Sequence, residues 1–157
     1  MKTSETKVVS TTWDNLTSIV GDEFVGGWFS VEQDRLHHFD VASYTDINAN
    51  AMDADFYPSG LVEGFHVLSL LDHLVNAVLF VEDPLWAGWN YGLDKVRFVS
   101  PITTDDSIRV RGEVLSAEPR GDGFLLLINC VLEVEGRAKP GATAEWRVLW
   151  TRTKESA

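Results

Sequence analysis

The chain has 157 residues, 45% of them apolar, with 24 acidic against 13 basic side chains and a formal charge of -11. That length fits one core better than two, and the excess of negative charge excludes a protein that holds nucleic acid through clustered Lys and Arg. Cys130 is the sole cysteine, so an internal disulfide and a cysteine-based zinc site are both excluded.

In chain order, residues 1–10 read as a flexible tail. MKTSETKVVSTTWDN lacks an apolar run of signal-peptide length, and the most apolar later stretch is interrupted by Glu63, His66, Asp72 and His73. Neither export nor a membrane span is expected, and the cytoplasm is the default location. A short helix is predicted over 13–20, ended by Gly21, followed by an extended arm over 24–31 broken at Gly26 and Gly27. A second helix over 32–43 would turn Leu36, Phe39 and Val41 or Ala42 inward. The polar, irregular stretch 44–60 is of a kind that carries function more often than packing. Residues 61–81, LVEGFHVLSLLDHLVNAVLFV, are apolar around most of a helical circumference, as expected of a helix wrapped by other structure, with Pro84 just beyond.

The rest is β-rich, with strands predicted over 90–98, 107–118, 123–135 and 143–153 between glycine and proline breaks. Phe124, Leu126, Ile128, Cys130, Leu132 and Val134 alternate onto one apolar face, which makes Cys130 a core residue rather than a nucleophile. A long helix followed by four antiparallel strands is an α+β order in which a curved sheet can wrap the helix. Charge divides along the chain: residues 1–94 carry a net -12 and residues 95–157 a net +1, so an anionic ligand would favour the second half unless its arginines are simply solvated strand faces.

Three blocks resemble the MaoC-like dehydratase, or (R)-specific enoyl-CoA hydratase, family in its NodN-type branch, and the similarity runs from Trp13 to Thr153. YTDINANAMD at 44–53 resembles the hydratase motif Asp-x-Asn-Pro-x-His-x-Asp. GLVEGFHVLSLL at 60–71 resembles the start of the helix that follows it, and NYGLDKVRFVSPI at 90–102 and VEGRAKPGATAEW at 134–146 resemble the family's strands. The resemblance implies a single hotdog domain, an antiparallel β-sheet wrapped around a long central α-helix. It also implies reversible addition of water to an enoyl thioester, with no cofactor and with CoA or an acyl-carrier protein as the thioester carrier. A relative's variation, ring closure by an internal hydroxyl, belongs to the same chemistry. Carried over by position, Asp46 matches the catalytic Asp, Asn48 the motif Asn, Asp53 the trailing Asp, Gly64 the amide that binds the thioester oxygen, and Ser69 a contact to the substrate carbonyl. Asn50, in the same motif, is counted with the substrate-binding residues.

Three motif positions depart from the family: the catalytic His is Ala51, the motif Pro is Ala49, and the His before the helix glycine is Glu63. A methyl group cannot move a proton, so a chain with Asp46 alone should be a slow hydratase, unless another group or another chain takes the place of the missing base. Glu63 is the preferred substitute, because two carboxylates beside a dry pocket are pushed apart in pKa; a helix-end acid interacting with the dipole would explain it equally. His66 is the second candidate, with a packed helix residue as its bland alternative. Trp86, Trp89 and Tyr91, just past the helix, would either wall an acyl pocket or pack the core. His37, His38 and His73 carry no motif context, and no His, Asp and Glu spacing matches a zinc site. Two functional readings remain open: a hydratase or dehydratase with altered catalytic residues, or a degenerate subunit that completes the site of a second hotdog chain. Both imply a homodimer or a heteromer, since a lone hotdog leaves a sheet edge uncovered.

Overall fold

The computed structural model describes residues 5–47 and 56–154. In chain order these form β1 (Val9–Thr11), a 3-10 helix (Trp13–Ile19), β2 (Glu23–Val25), α1 (Gln33–Ser43) and a 3-10 turn (Thr45–Ile47). There follow β3 (Leu61–Val62), α2 (Gly64–Asn76), β4 (Leu79–Val81), β5 (Trp86–Phe98), β6 (Ile102–Thr103), β7 (Ile108–Arg120), β8 (Gly123–Val134) and β9 (Ala142–Arg152).

The main sheet has the order β2-β7-β8-β9-β5 and is antiparallel throughout. Strict alternation builds it: Leu126, Ile128, Cys130, Leu132 and Val134 of β8 are buried, as are Ala142, Ala144, Trp146, Val148 and Trp150 of β9. Phe124, expected on the same face, is half-buried at the strand's end. The inner face closes over α2, whose Val67, Leu71, Leu74 and Val75 join the same apolar cluster. This is the hotdog arrangement, with the helix inside the curl of the sheet. Cys130 is 1% exposed, and burial pushes its thiol up to about 12, so it packs as a small hydrophobe and stays protonated.

Four local expectations change. The tail expected over 1–10 is ordered from residue 7, where Lys7 pairs with Val25 and Val9, 7% exposed, begins β1. The first helix is of the 3-10 kind, with non-helical backbone at Asn15. The hydroxyls of Thr11 and Ser18 both donate to the Asn15 carbonyl, an acceptor that a continuous α-helix would use for its own ladder. The long helix expected over 61–81 is shortened at both ends. Leu61 and Val62 pair with Thr103 and Ile102, and Leu79–Val81 pairs in parallel with Val9–Thr11, so both apolar ends become strands. Gly60 makes the entry turn at φ +71°, where a β-carbon would also meet the Thr104 hydroxyl at 2.5 Å. Finally, α1 buries none of its residues: Leu36 and Phe39 are half-buried, while Val41 and Ala42 lie on the exposed side.

The cations of the second half do not form an open patch. Six of the ten hold carboxylates: Lys95 with Glu145, Arg109 and Arg111 with Glu133, Arg137 with Asp106, Arg147 with Asp94 and Arg152 with Asp83. Burial pushes the Glu133 carboxyl up, but hydrogen bonds and charge from Arg109 and Arg111 outweigh it and hold the group below the usual carboxylate range.

Candidate functional site

The start of α2 is where backbone, acid and imidazole meet. Glu63 has an extended backbone (φ -67°, ψ 161°), and its carbonyl accepts the first helical bond, from the Val67 amide at 2.9 Å. The amides of Gly64, Phe65 and His66 precede that bond and are free of the helix ladder, at the end where partial positive charge collects. Gly64 lets the helix start approach the end of β5 closely. A β-carbon there would stand 2.8 Å from Cζ of Phe98, which crosses over from the end of β5.

These residues open onto a cavity of about 710 Å³, in the range of small-molecule sites. Leu36 and Asp40 of α1, Tyr57, Val62 and Phe98 are among its other walls, and most of the lining is apolar. A second cavity of about 360 Å³, between Phe29, Arg35, Leu70 and His73, meets the first at His66. His66 is therefore reached from both sides while only 7% exposed.

The electrostatics of the cavity separate its acid from its imidazole. The Glu63 carboxyl makes no capping bond to the helix. Burial, and after it the neighbouring Asp40 carboxylate, push its pKa up, the direction opposite to that of an acid held by a helix dipole. Burial pushes the His66 imidazole down, with Asp40 opposing. A carboxyl that keeps its proton can donate, and an imidazole that has lost its own can accept. The ring of Phe39 lies flat on that of His66, 4.4 Å between centroids and 3° between planes, which sets the imidazole's orientation from the α1 side.

The other sequence-derived site residues are dispersed. Asp46 sits on the 3-10 turn after α1, exposed, and does not line the cavity. Asn48, Asn50, Ala51 and Asp53 lie outside the described residues. Ser69 is on the far face of α2, its hydroxyl donating to the His66 carbonyl at 2.6 Å; it shares a groove with Tyr91 and Trp146, apart from the cavity. Tyr91 carries the Arg120 guanidinium over its ring at 4.9 Å. Trp86 packs edge-on to Trp150 at 5.3 Å, with its indole nitrogen buried and unbonded. Trp89 is 61% exposed and donates to the Thr151 hydroxyl. None of the three aromatics walls the cavity. His37 and His38 are exposed, and His73 packs beside Phe29. Among the described residues no three His, Cys, Asp or Glu side chains stand together as a metal site.

Asp40, Tyr57 and Phe98 are cavity residues that the sequence reading passes over. Asp40 is a charged residue outside the apolar set Leu36, Phe39 and Val41 or Ala42 expected on the inward face of α1, and Phe98 ends a strand whose alternation assigns it no role. The motif pattern marks α2 but says nothing of what α1 lays across it.

The chain is similar to proteins already described. Nodulation protein N of Rhizobium leguminosarum bv. viciae is 35% identical over 128 residues, covering 76% of this chain and 78% of that protein. The 3-hydroxyacyl-thioester dehydratase Z of Mycobacterium tuberculosis is 28% identical over 123 residues, covering 75% and 81%. Among solved structures, the MaoC-like dehydratase from Rhodospirillum rubrum superposes with a TM-score of 0.61 at 19% identity, over 86% of this chain and 94% of that one. No protein-family model matches the chain.

Proposed function

Since the chain belongs to the MaoC-like hotdog family of hydratases and dehydratases, we propose that it adds water to, or removes it from, an α,β-unsaturated acyl thioester held at the start of α2. The observation that carries this reading is the cavity itself, where the Glu63 carboxyl, the buried His66 imidazole and Gly64 at the start of α2 share one mostly apolar space, with burial pushing the carboxyl up and the imidazole down.

In the hydration direction His66 takes a proton from water, and the water oxygen bonds to C3 of the substrate. The double-bond electrons move toward the thioester oxygen, where the Gly64 amide meets the growing negative charge. Glu63 then supplies the proton that C2 receives, and the proton on His66 returns to Glu63 through solvent. An internal hydroxyl in place of water gives ring closure by the same movement of electrons. The apolar walls suit an acyl chain, and a CoA or acyl-carrier thioester is the substrate class. The family's motif would put the base at Asp46; its exposure favours Glu63 and His66. The cytoplasm is the proposed setting; no helix among the described residues is long and apolar enough to cross a membrane.

One sequence observation favours a second reading. Ala51 stands where the motif carries its His, as expected of a subunit that completes the site of another hotdog chain. In either case the free edge of β5, with Trp89 and Leu93 exposed along it, is the proposed surface for pairing with a second hotdog chain, and a monomeric mass by light scattering would contradict that. Assaying the purified chain alone on trans-2-enoyl-CoA substrates separates the two readings. Turnover by the single chain, reduced about 100-fold or more in Glu63→Gln, is the expected result. No turnover except with a second chain added would replace the enzyme by the partner.

A further inference from the structure

The sequence motif marks no residue of α1, yet this helix is laid over the imidazole that the cavity exposes. Its burial is slight and its contacts are selective. Along Gln33–Ser43 no side chain is buried, and the half-buried ones are Leu36, Phe39 and Asp40, all on the side that meets α2. Apolar contact holds the helix only through Leu36, packed against the core, and the Phe39 ring on His66. It is also tied at its N-terminal end, where Gln33 accepts from the Thr104 hydroxyl at 2.9 Å, while the Thr45 hydroxyl, on the same segment, donates to Asp40 Oδ1 at 3.3 Å.

We propose that Asp40 is a positioning residue of this site: it stands on the cavity wall beside His66 and Glu63 and, with the Phe39 ring stacked on the imidazole, holds His66 ready for proton transfer. The inference rests on the reaction proposed above for the same cavity. The physical need is plain. An imidazole this buried has its charged form disfavoured, and once it has taken a proton from water it requires a negative neighbour to stabilise it for the duration of the reaction. Among the described residues, the other ionisable groups around His66 do not meet that need. Glu63, at the start of the same helix, has its charged form disfavoured by burial and by Asp40. Arg35 and Glu32 border the second cavity and offset each other as a pair 3.7 Å apart. His73 lies one side further along α2, and Tyr57 closes the outer wall. Asp40 is the neighbour whose charge acts on both His66 and Glu63, raising the proton affinity of each.

The test uses the full chain in three forms, Asp40→Asn, Asp40→Glu and, as a control with the same loss of charge on an exposed part of α1, Asp34→Asn. The His66 ring resonance is followed by NMR against pH, and kcat and KM are measured across the same range. The expected result is a downward move of the His66 midpoint in Asp40→Asn, a fall in kcat of about tenfold or more with KM little changed, recovery in Asp40→Glu, and neither effect in Asp34→Asn. An unmoved His66 midpoint in Asp40→Asn overturns the proposal, whatever the activity. A moved midpoint in a protein without turnover leaves Asp40 coupled to His66 and overturns the hydratase reading instead. Equal changes in Asp34→Asn would reduce the effect to general surface charge and also overturn the assignment.

Discussion

Replacing Gly64 with alanine tests the heart of the site, because one methyl group acts on packing and on chemistry by separable routes. The new β-carbon would lie 2.8 Å from Cζ of Phe98 and 3.0 Å from both Cε atoms. Ordinary carbon contact begins near 3.5 Å, so the ring must withdraw by about 0.7 Å or the helix start must yield by that much. Overpacking of this kind costs about 1–3 kcal/mol. Phe98 is 54% exposed and can swing outward, which places the cost at the lower end, and alanine's better helix propensity offsets part of it. Thermal unfolding should therefore shift by only a few degrees, roughly 4 °C for each kcal/mol lost in a domain of this size. The effect on turnover is expected to be much larger. The added methyl group stands beside the carbonyl that the amide serves, whether or not Phe98 swings away, and a donor crowded in this way loses on the order of 100-fold in kcat. The assay is the disappearance of conjugated enoyl-thioester absorbance, run on Gly64→Ala and on Gly64→Ala combined with Phe98→Ala. The second substitution should relieve the clash and recover stability while leaving most of the catalytic loss. Wild-type kcat in Gly64→Ala would refute the claim that this amide meets the substrate oxygen.

Two further outcomes follow from the placement of charged groups. Asp46→Asn, on an exposed turn, should keep turnover within about threefold of wild type; a loss of 100-fold or more would return the base to the motif position. Glu133→Gln removes the carboxylate that joins Arg109 to Arg111 and should lower stability at neutral pH by about 1–3 kcal/mol, measured by urea unfolding. Because the Glu133 pKa is held down in the folded state, its stabilisation is present above the usual carboxylate range and is lost as pH falls through the depressed value. Wild type and variant should therefore converge in acid; a gap that persists there would show that packing, not charge, accounts for the difference.

The division between what residues announce locally and what folding decides runs through this molecule element by element. The faces of β8 and β9 were legible in the chain because period-2 alternation is a property of neighbouring residues, and the burial of Cys130 followed from its place in that alternation. The hotdog arrangement was legible through the blocks at 44–53 and 60–71. The length of α2 was not. Leu61, Val62 and Leu79–Val81 are apolar whether coiled or extended, and only their pairing with Thr103, Ile102 and Val9–Thr11, distant in the chain, makes them strands.

The candidate site divides in the same way. Glu63, Gly64 and His66 are adjacent in sequence and share one helix start, so a motif could find them together. Asp40, Phe39 and Phe98 come from elsewhere; helical spacing turns Phe39 inward, but nothing in the sequence of α1 says that Phe39 stacks on His66 or that Asp40 lines the same cavity. Local order determined which groups this protein can present for proton transfer. The packing of α1 and the end of β5 over the start of α2 decided which of them meet, because proximity between distant segments is set by burial of whole surfaces and leaves no trace in the residues between them.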